Sequence, residues 1–76
     1  MKELVEVIAK ALVEHPEEVV VTETKEGNDY IVKLCVASSD MGKVIGKQGR
    51  IAKSIRSVVK AAASRENARA DVEITD

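Results

Sequence analysis

Val44-Ile45-Gly46-Lys47-Gln48-Gly49-Arg50 sets two glycines around two long polar residues, with an apolar pair before them and a helical run after them. Glycine accepts backbone angles and close approaches that a Cβ forbids, so a Gly-x-x-Gly turn separates one helix from the next and brings its peptide groups within reach of a ligand. A helix that starts just after such a turn adds free N–H groups and a positive dipole end, and both favour an anion such as a phosphate.

The charge around this turn has the matching sign. From Met41 to Lys60 the chain carries Lys43, Lys47, Arg50, Lys53, Arg56 and Lys60 and no acid. The 13 acidic residues lie elsewhere with the other six bases, so a +6 segment sits in a -7 background beneath a net charge of -1. A phosphate chain responds to local potential rather than net charge, so such a segment serves as its footprint. The same run also suits a solvated helix face with no ligand.

Outward from the turn, Ser38-Ser39-Asp40 supplies candidate N-caps for a short helix from Met41 to Ile45, which Gly46 stops. Downstream, Arg50 to about Arg65 has helical periodicity. Ile51, Ile55, Val58, Val59 and Ala62 fall on one side, with Lys53, Arg56 and Lys60 opposite. Ser64 to Asn67 breaks the period. Ala68, Ala70, Val72 and Ile74 then alternate with Arg69, Asp71, Glu73 and Thr75 as in a half-buried strand. Upstream, Tyr30 to Ala37 is apolar on nearly both faces and reads as a central strand, with Cys35 as a small buried hydrophobe. Gly27-Asn28 fits a two-residue hairpin turn back to an edge strand from Glu18 to Lys25, with Val19 and Val21 on one face and Thr22 and Thr24 on the other. Lys2 to Glu14 reads as an amphipathic helix with Leu4, Ile8, Ala11 and Leu12 on its packing side and Val5 and Val7 flanking. It is ended by Pro16, with His15 as a C-terminal cap.

The resulting order, α-β-β-α-α-β, predicts an α+β fold of two layers. A three-stranded mixed sheet carries three helices on one face and a polar opposite face, because a hairpin makes the first pair antiparallel and the long crossover makes the second pair parallel. With 76 residues, this is one domain spanning 1–76. Hydrophobic residues make up 45% and charged residues 33%, a globular balance, and Tyr30 is the only aromatic. Cys35 is the only cysteine, which excludes an internal disulfide or a cysteine-cluster metal site and points to a reducing, cytoplasmic location. No signal-peptide layout or membrane-crossing apolar run occurs. Enzyme chemistry is not expected: a lone histidine cannot assemble a nucleophile with its base, and neither a P-loop nor a dinucleotide fingerprint is present. No cofactor, metal or small-molecule substrate is expected. A helix-turn-helix DNA reader using Arg50 to Lys60 is disfavoured by the strands and by the apolar character of that helix.

The glycine turn with Val-Ile before it and Arg after it, a short helix upstream and a basic helix downstream resembles the signature of a KH domain. The element order is similar to the bacterial, type II form of that fold. Over Lys2 to Ile74 the chain resembles the KhpA family of small single-KH-domain bacterial RNA-binding proteins. The resemblance implies a type II KH-like domain in which Gly46, Lys47, Gln48 and Gly49 clamp the backbone of short single-stranded RNA, about four nucleotides in this class of module. Arg50, Lys43, Lys53 and Arg56 would extend the contact, and Val44 and Ile45 would either meet a base or pack in the core. Gly42 reads as a site of close helix packing rather than binding. With Tyr30 as the only candidate stacking ring, sequence specificity should be low. Within the family pattern the protein would act as an RNA chaperone or post-transcriptional regulator. The alternative is a dimerising adaptor, a homodimer or a heteromer with a larger KH-containing protein of the KhpB (Jag) type, in which RNA binding is secondary. The alanine run Ala61 to Ala63 would permit close helix approach.

Overall fold

Apolar residues at every second position place Tyr30, Val32 and Leu34 on one face of a strand. That strand, β2 (Asp29–Cys35), lies between β1 (Val20–Glu26) and β3 (Arg69–Thr75) in the computed structural model, which describes residues 1–76. β1 pairs antiparallel with β2, Val21 opposite Leu34, and β3 pairs parallel with β2, Val72 opposite Val32. Gly27 makes the connecting hairpin with a φ of 58°, a left-handed value that glycine reaches without steric cost. The helices are α1 (Lys2–Leu12) and α2 (Ser38–Arg65), with a short 3₁₀ turn at Pro16–Glu18 between α1 and β1.

Helical pairing runs through α2 as one element, but residues 46–49 are not helical. They divide it into a 38–45 arm and a 50–65 arm, the second and third helices expected from the sequence. All three helical segments contribute to one core cluster with the inner sheet face: Val5 and Ala9 from α1, Val44 from the first arm, and Ala52, Ile55, Val59 and Ala63 from the second. The sheet supplies Val21, Tyr30, Val32, Leu34, Ala70 and Val72. On the outer face Thr22, Thr24, Lys33, Asp71 and Glu73 are exposed, as the alternation requires. The architecture is the expected two-layer α+β arrangement.

Several local expectations need correction. α1 stops at Leu12 rather than Glu14, and its buried positions are Val5 and Ala9, one turn apart. Leu4 and Leu12 remain 37% and 38% exposed, and Ala11 is also outside the core. The buried stripe of the 50–65 arm is similarly rotated: Ala52, Ile55, Val59 and Ala63 are buried, whereas Val58 is 38% exposed. Both helices carry more apolar residues than one contact face holds, so periodicity alone allowed a neighbouring row. The 38–45 arm begins at Ser38, with Ala37 as N-cap and no side-chain cap. His15 caps no helix by its side chain; it precedes the 3₁₀ turn, with Nδ1 3.4 Å from Glu17 Oε1. Cys35 is half-buried on the outer sheet face, so it is not a core residue.

The far end of α2 closes without glycine. Asn67 takes φ 55°, and the Ala68 and Asn67 amides donate to the Ala63 and Ser64 carbonyls at 2.9 and 3.1 Å, which satisfies helix-end acceptors in the Schellman manner. Tyr30 is buried, its hydroxyl donating to Glu66 Oε1 at 2.9 Å, and thereby ties this helix end to the start of β2.

The burial pattern separates two residues that periodicity places together. Ile55→Ala is expected to cost about 2–5 kcal/mol by opening a cavity under the sheet, whereas Val58→Ala costs about 0.5 kcal/mol or less, both measured by denaturant unfolding.

Candidate nucleic-acid interface

The interruption of α2 is a run of left-handed residues. Gly46 has φ -70° and ψ 173°, after which Lys47, Gln48 and Gly49 take φ 51°, 63° and 69°. Left-handed backbone costs an L-residue about 1–2 kcal/mol, because Cβ crowds the following carbonyl. Lys47 and Gln48 therefore occupy strained positions with no packing role, since both side chains are exposed. Strain of this kind marks a turn held in shape by the elements on either side.

The turn and its two arms enclose a recess of about 350 Å³ lined by Gly42, Lys43, Gly46, Lys47, Arg50 and Ile51. The first arm supplies Gly42 and Lys43, the turn supplies Gly46 and Lys47, and the opening residues of the second arm supply Arg50 and Ile51. Because Arg50 and Ile51 belong to the first turn of the 50–65 arm, the positive end of that arm's dipole lies at the recess. Lys53, Arg56 and Lys60 continue the positive charge along one flank of the arm, and Arg56 and Lys60 line a smaller cleft against Ala70, Asp71 and Val72 of β3. No ion pair engages any of the six bases of the segment: the ion pairs of the molecule are Met1 with Glu23, Lys10 with Glu6 and His15 with Glu17. All six are exposed and free to meet an anion.

The glycines of this region differ in what they do. Gly49 needs its positive φ. Gly42 and Gly46 have ordinary negative φ, and a Cβ built on either would meet nothing within 4 Å. Gly42 therefore permits no close helix packing, contrary to the expectation from sequence; glycine inside a helix costs about 1 kcal/mol relative to alanine. Neither glycine is required by the protein's own backbone or packing, and both line the recess. Their lack of a side chain keeps the recess open.

The remaining site residues divide by burial. Gly46, Lys47, Gln48, Gly49, Arg50 and Lys43 come together at the turn and its arms, with Lys53 and Arg56 on the flank. Val44 is 1% exposed and packs in the core, so its side chain presents no surface to a base. Ile45 is 56% exposed beside it. Lys60 and Ile51 also line the clefts. Lys60 belongs to the acid-free basic run, which is the signal that would have included it. Tyr30, buried against the Lys25 ammonium 5.0 Å from its ring centre, is not available to stack.

A helix-turn-helix junction closed by Gly-x-x-Gly on a three-stranded mixed sheet defines a KH-class domain. Comparison with known proteins agrees over nearly the whole chain: the family described as "KhpA/KhpB, KH domain" matches residues 2–74. The chain is 62% identical over 74 residues to the RNA-binding protein KhpA of Clostridium perfringens, covering 97% of this chain and 99% of that one. It is 54% identical over 76 residues to the protein of the same name from Halalkalibacterium halodurans, covering 100% of both. A solved structure of Era in complex with MgGDPNP and nucleotides 1506-1542 of 16S ribosomal RNA shares the fold at TM-score 0.60 and 21% identity. The match covers 97% of this chain and 28% of that one. The chain belongs to the KhpA/KhpB family of KH domains, a non-enzymatic family. No helix is long and apolar enough to cross a membrane.

Alanine substitutions at the three glycines are expected to shift stability in different directions. Gly42→Ala should add about 1 kcal/mol, Gly46→Ala should change it by about 0.5 kcal/mol or less, and Gly49→Ala should remove about 1–2 kcal/mol, read from denaturant midpoints.

Proposed function

We propose that this chain binds single-stranded RNA by its sugar-phosphate backbone, with Gly46 to Gly49 as the clamp and Lys43, Lys47 and Arg50 as the charged contacts. The observation that carries this reading is the glycine-lined recess at the break of α2, surrounded by unpaired cations in an acid-free segment. The names of the relatives and the RNA in the Era complex support RNA as the polyanion.

Each part of the recess answers a feature of a nucleotide backbone. Gly42 and Gly46 leave room for the sugar-phosphate chain to approach the peptide groups. Lys47 and Arg50 offer charge-assisted hydrogen bonds, which are shorter and stronger than neutral ones. The start of the 50–65 arm adds a fixed positive potential. Ile45 and Ile51 give modest apolar surface beside the phosphates. With no aromatic platform at the surface, bases contribute little and affinity rests on phosphate and shape. Such binding suits an RNA chaperone or post-transcriptional regulator, and the single unpaired cysteine accords with a cytoplasmic location.

A second role is compatible with the first, because the 50–65 arm carries it toward its far end, away from the recess. Leu4 of α1 faces Val58, Ala61 and Ala62 across a shallow apolar groove of about 460 Å³, ended by Arg65 and Glu66. The groove shares no lining residue with the recess or with the β3 cleft. A second copy of the chain, or a KhpB (Jag)-type partner, seated there would leave the clamp open. Under this reading light scattering at tens of micromolar (on the order of the affinities of small transient interfaces) shows a dimer, and Val58→Asp returns it to monomer without lowering RNA affinity per chain.

The clamp is tested with Lys47→Asp combined with Gln48→Asp. The variant is expected to keep its fold and lose about tenfold or more in affinity for single-stranded RNA, since it replaces an attractive charge with two repulsive ones beside the phosphates. A folded variant that binds RNA as well as the unaltered chain removes the clamp. For about two or three neutralised phosphates, log affinity should fall with log salt at a slope of roughly -1.4 to -2.1, and a slope of zero contradicts backbone recognition.

A further inference from the structure

Of residues 38–49, only Asp40 and Val44 are buried. The first arm is two helical turns long, too short to hold itself together in water, so its placement depends on these two attachments one turn apart and on Met41, which packs partly buried against the core between them. Val44 inserts into the core. Asp40 is the only polar or charged residue in the buried set, 1% exposed, and no cation pairs with it. Its carboxylate instead spans the chain after α1: Oδ1 accepts from the Glu14 N–H and Oδ2 from the His15 N–H, both at 3.0 Å. Ionised acceptors make the stronger hydrogen bonds, and the N-terminal end of Asp40's own helix offsets part of its charge.

Val44 and Met41 hold the arm to the core, and Asp40 ties its opening turn to the chain after α1, which fixes its direction. Gly42 and Lys43 form one wall of the recess and Arg50 and Ile51 the other, so the angle between the arms sets its width. We propose that Asp40 is a positioning residue for RNA binding: by gripping the Glu14 and His15 amides it holds the 38–45 arm at the angle that keeps the recess open. The proposal rests on the backbone-clamp reading above. Asp40 touches no RNA, because its side chain has no surface, and it acts through the arm. Without the carboxylate the arm keeps only its core contacts through Met41 and Val44 and turns on them, and only the fraction of molecules with the arm in place binds.

The test compares Asp40→Asn and Asp40→Ala with Ile31→Ala, a change at a half-buried position on the outer sheet face, opposite the side on which both arms pack. All are measured at a temperature where each is folded, with a short oligouridylate as probe. The Asp40 variants are expected to lose about tenfold in affinity if a tenth of the molecules keep the arm in place, while Ile31→Ala loses global stability and retains affinity within about twofold. A second reading needs no substitution and decides the matter even if the variants unfold. Because coupling is reciprocal, oligouridylate bound to the unaltered chain should slow hydrogen exchange at the Glu14 and His15 amides by about tenfold or more. Unchanged affinity in the folded Asp40 variants, or unchanged exchange at both amides, overturns the proposal. If the Lys47→Asp, Gln48→Asp variant loses binding and the Asp40 variants do not, the positioning role fails alone. If that double variant binds normally, the clamp reading fails and takes this inference with it.

Discussion

Three consecutive left-handed residues, Lys47, Gln48 and Gly49, impose the constraint on which the rest of the structure depends. A straight helix over residues 38–65 would carry its buried residues along a single line, yet Val44 and the Ala52, Ile55, Val59, Ala63 stripe converge on the same sheet face. The left-handed run redirects the chain so that both arms reach one core. Its conformational cost is offset by the burial on either side, much as strained turns at binding sites are held by a rigid surround. The recess is a consequence of the same geometry, because it is the space left where the arms diverge.

The 50–65 arm shows how one small domain separates its tasks. One side packs on the sheet, one flank bears Lys53, Arg56 and Lys60 beside β3, and the other flank carries Val58, Ala61 and Ala62 beside Leu4. Charged residues on the core side would cost several kcal/mol each, and apolar residues on the phosphate side would weaken the local potential. The sorting therefore follows from the solvent each flank meets. Domains of this size bury only about 60% of their unfolded surface and have little stability to spare. Even so, Gly42 and Gly46 stand where alanine would suit the backbone as well or better. Glycine at those positions makes sense as clearance for a ligand rather than as support for the fold.

Much of this was legible in the residues. The hairpin follows from Gly27-Asn28, the central strand from its apolar alternation, the parallel return from a crossover too long for a hairpin, and the phosphate turn from two glycines in a basic, acid-free run. The misread details share a physical cause. Leu4, Leu12 and Val58 lie on faces with helical periodicity, and periodicity cannot distinguish a core row from an adjacent row at the surface. Asp40 stands where helix caps usually stand, so local sequence assigns its carboxylate to its own helix; only the tertiary structure brings it to the amides of Glu14 and His15. Gly42 was ambiguous because a glycine in a helix signals either a close neighbour or an empty space, and the sequence does not show which. Val44 and Ile45, adjacent and similar, are told apart by burial alone.

The most direct measurement is an amide chemical-shift map of the full chain titrated with a short unstructured RNA. Backbone capture at the broken helix predicts perturbations concentrated at residues 42–51 and continuing along Lys53, Arg56 and Lys60, with Leu4, Ala61 and the outer sheet face unmoved. Perturbations centred on the Leu4 and Val58 groove or on the outer face of the sheet, with residues 46–49 silent, would contradict it.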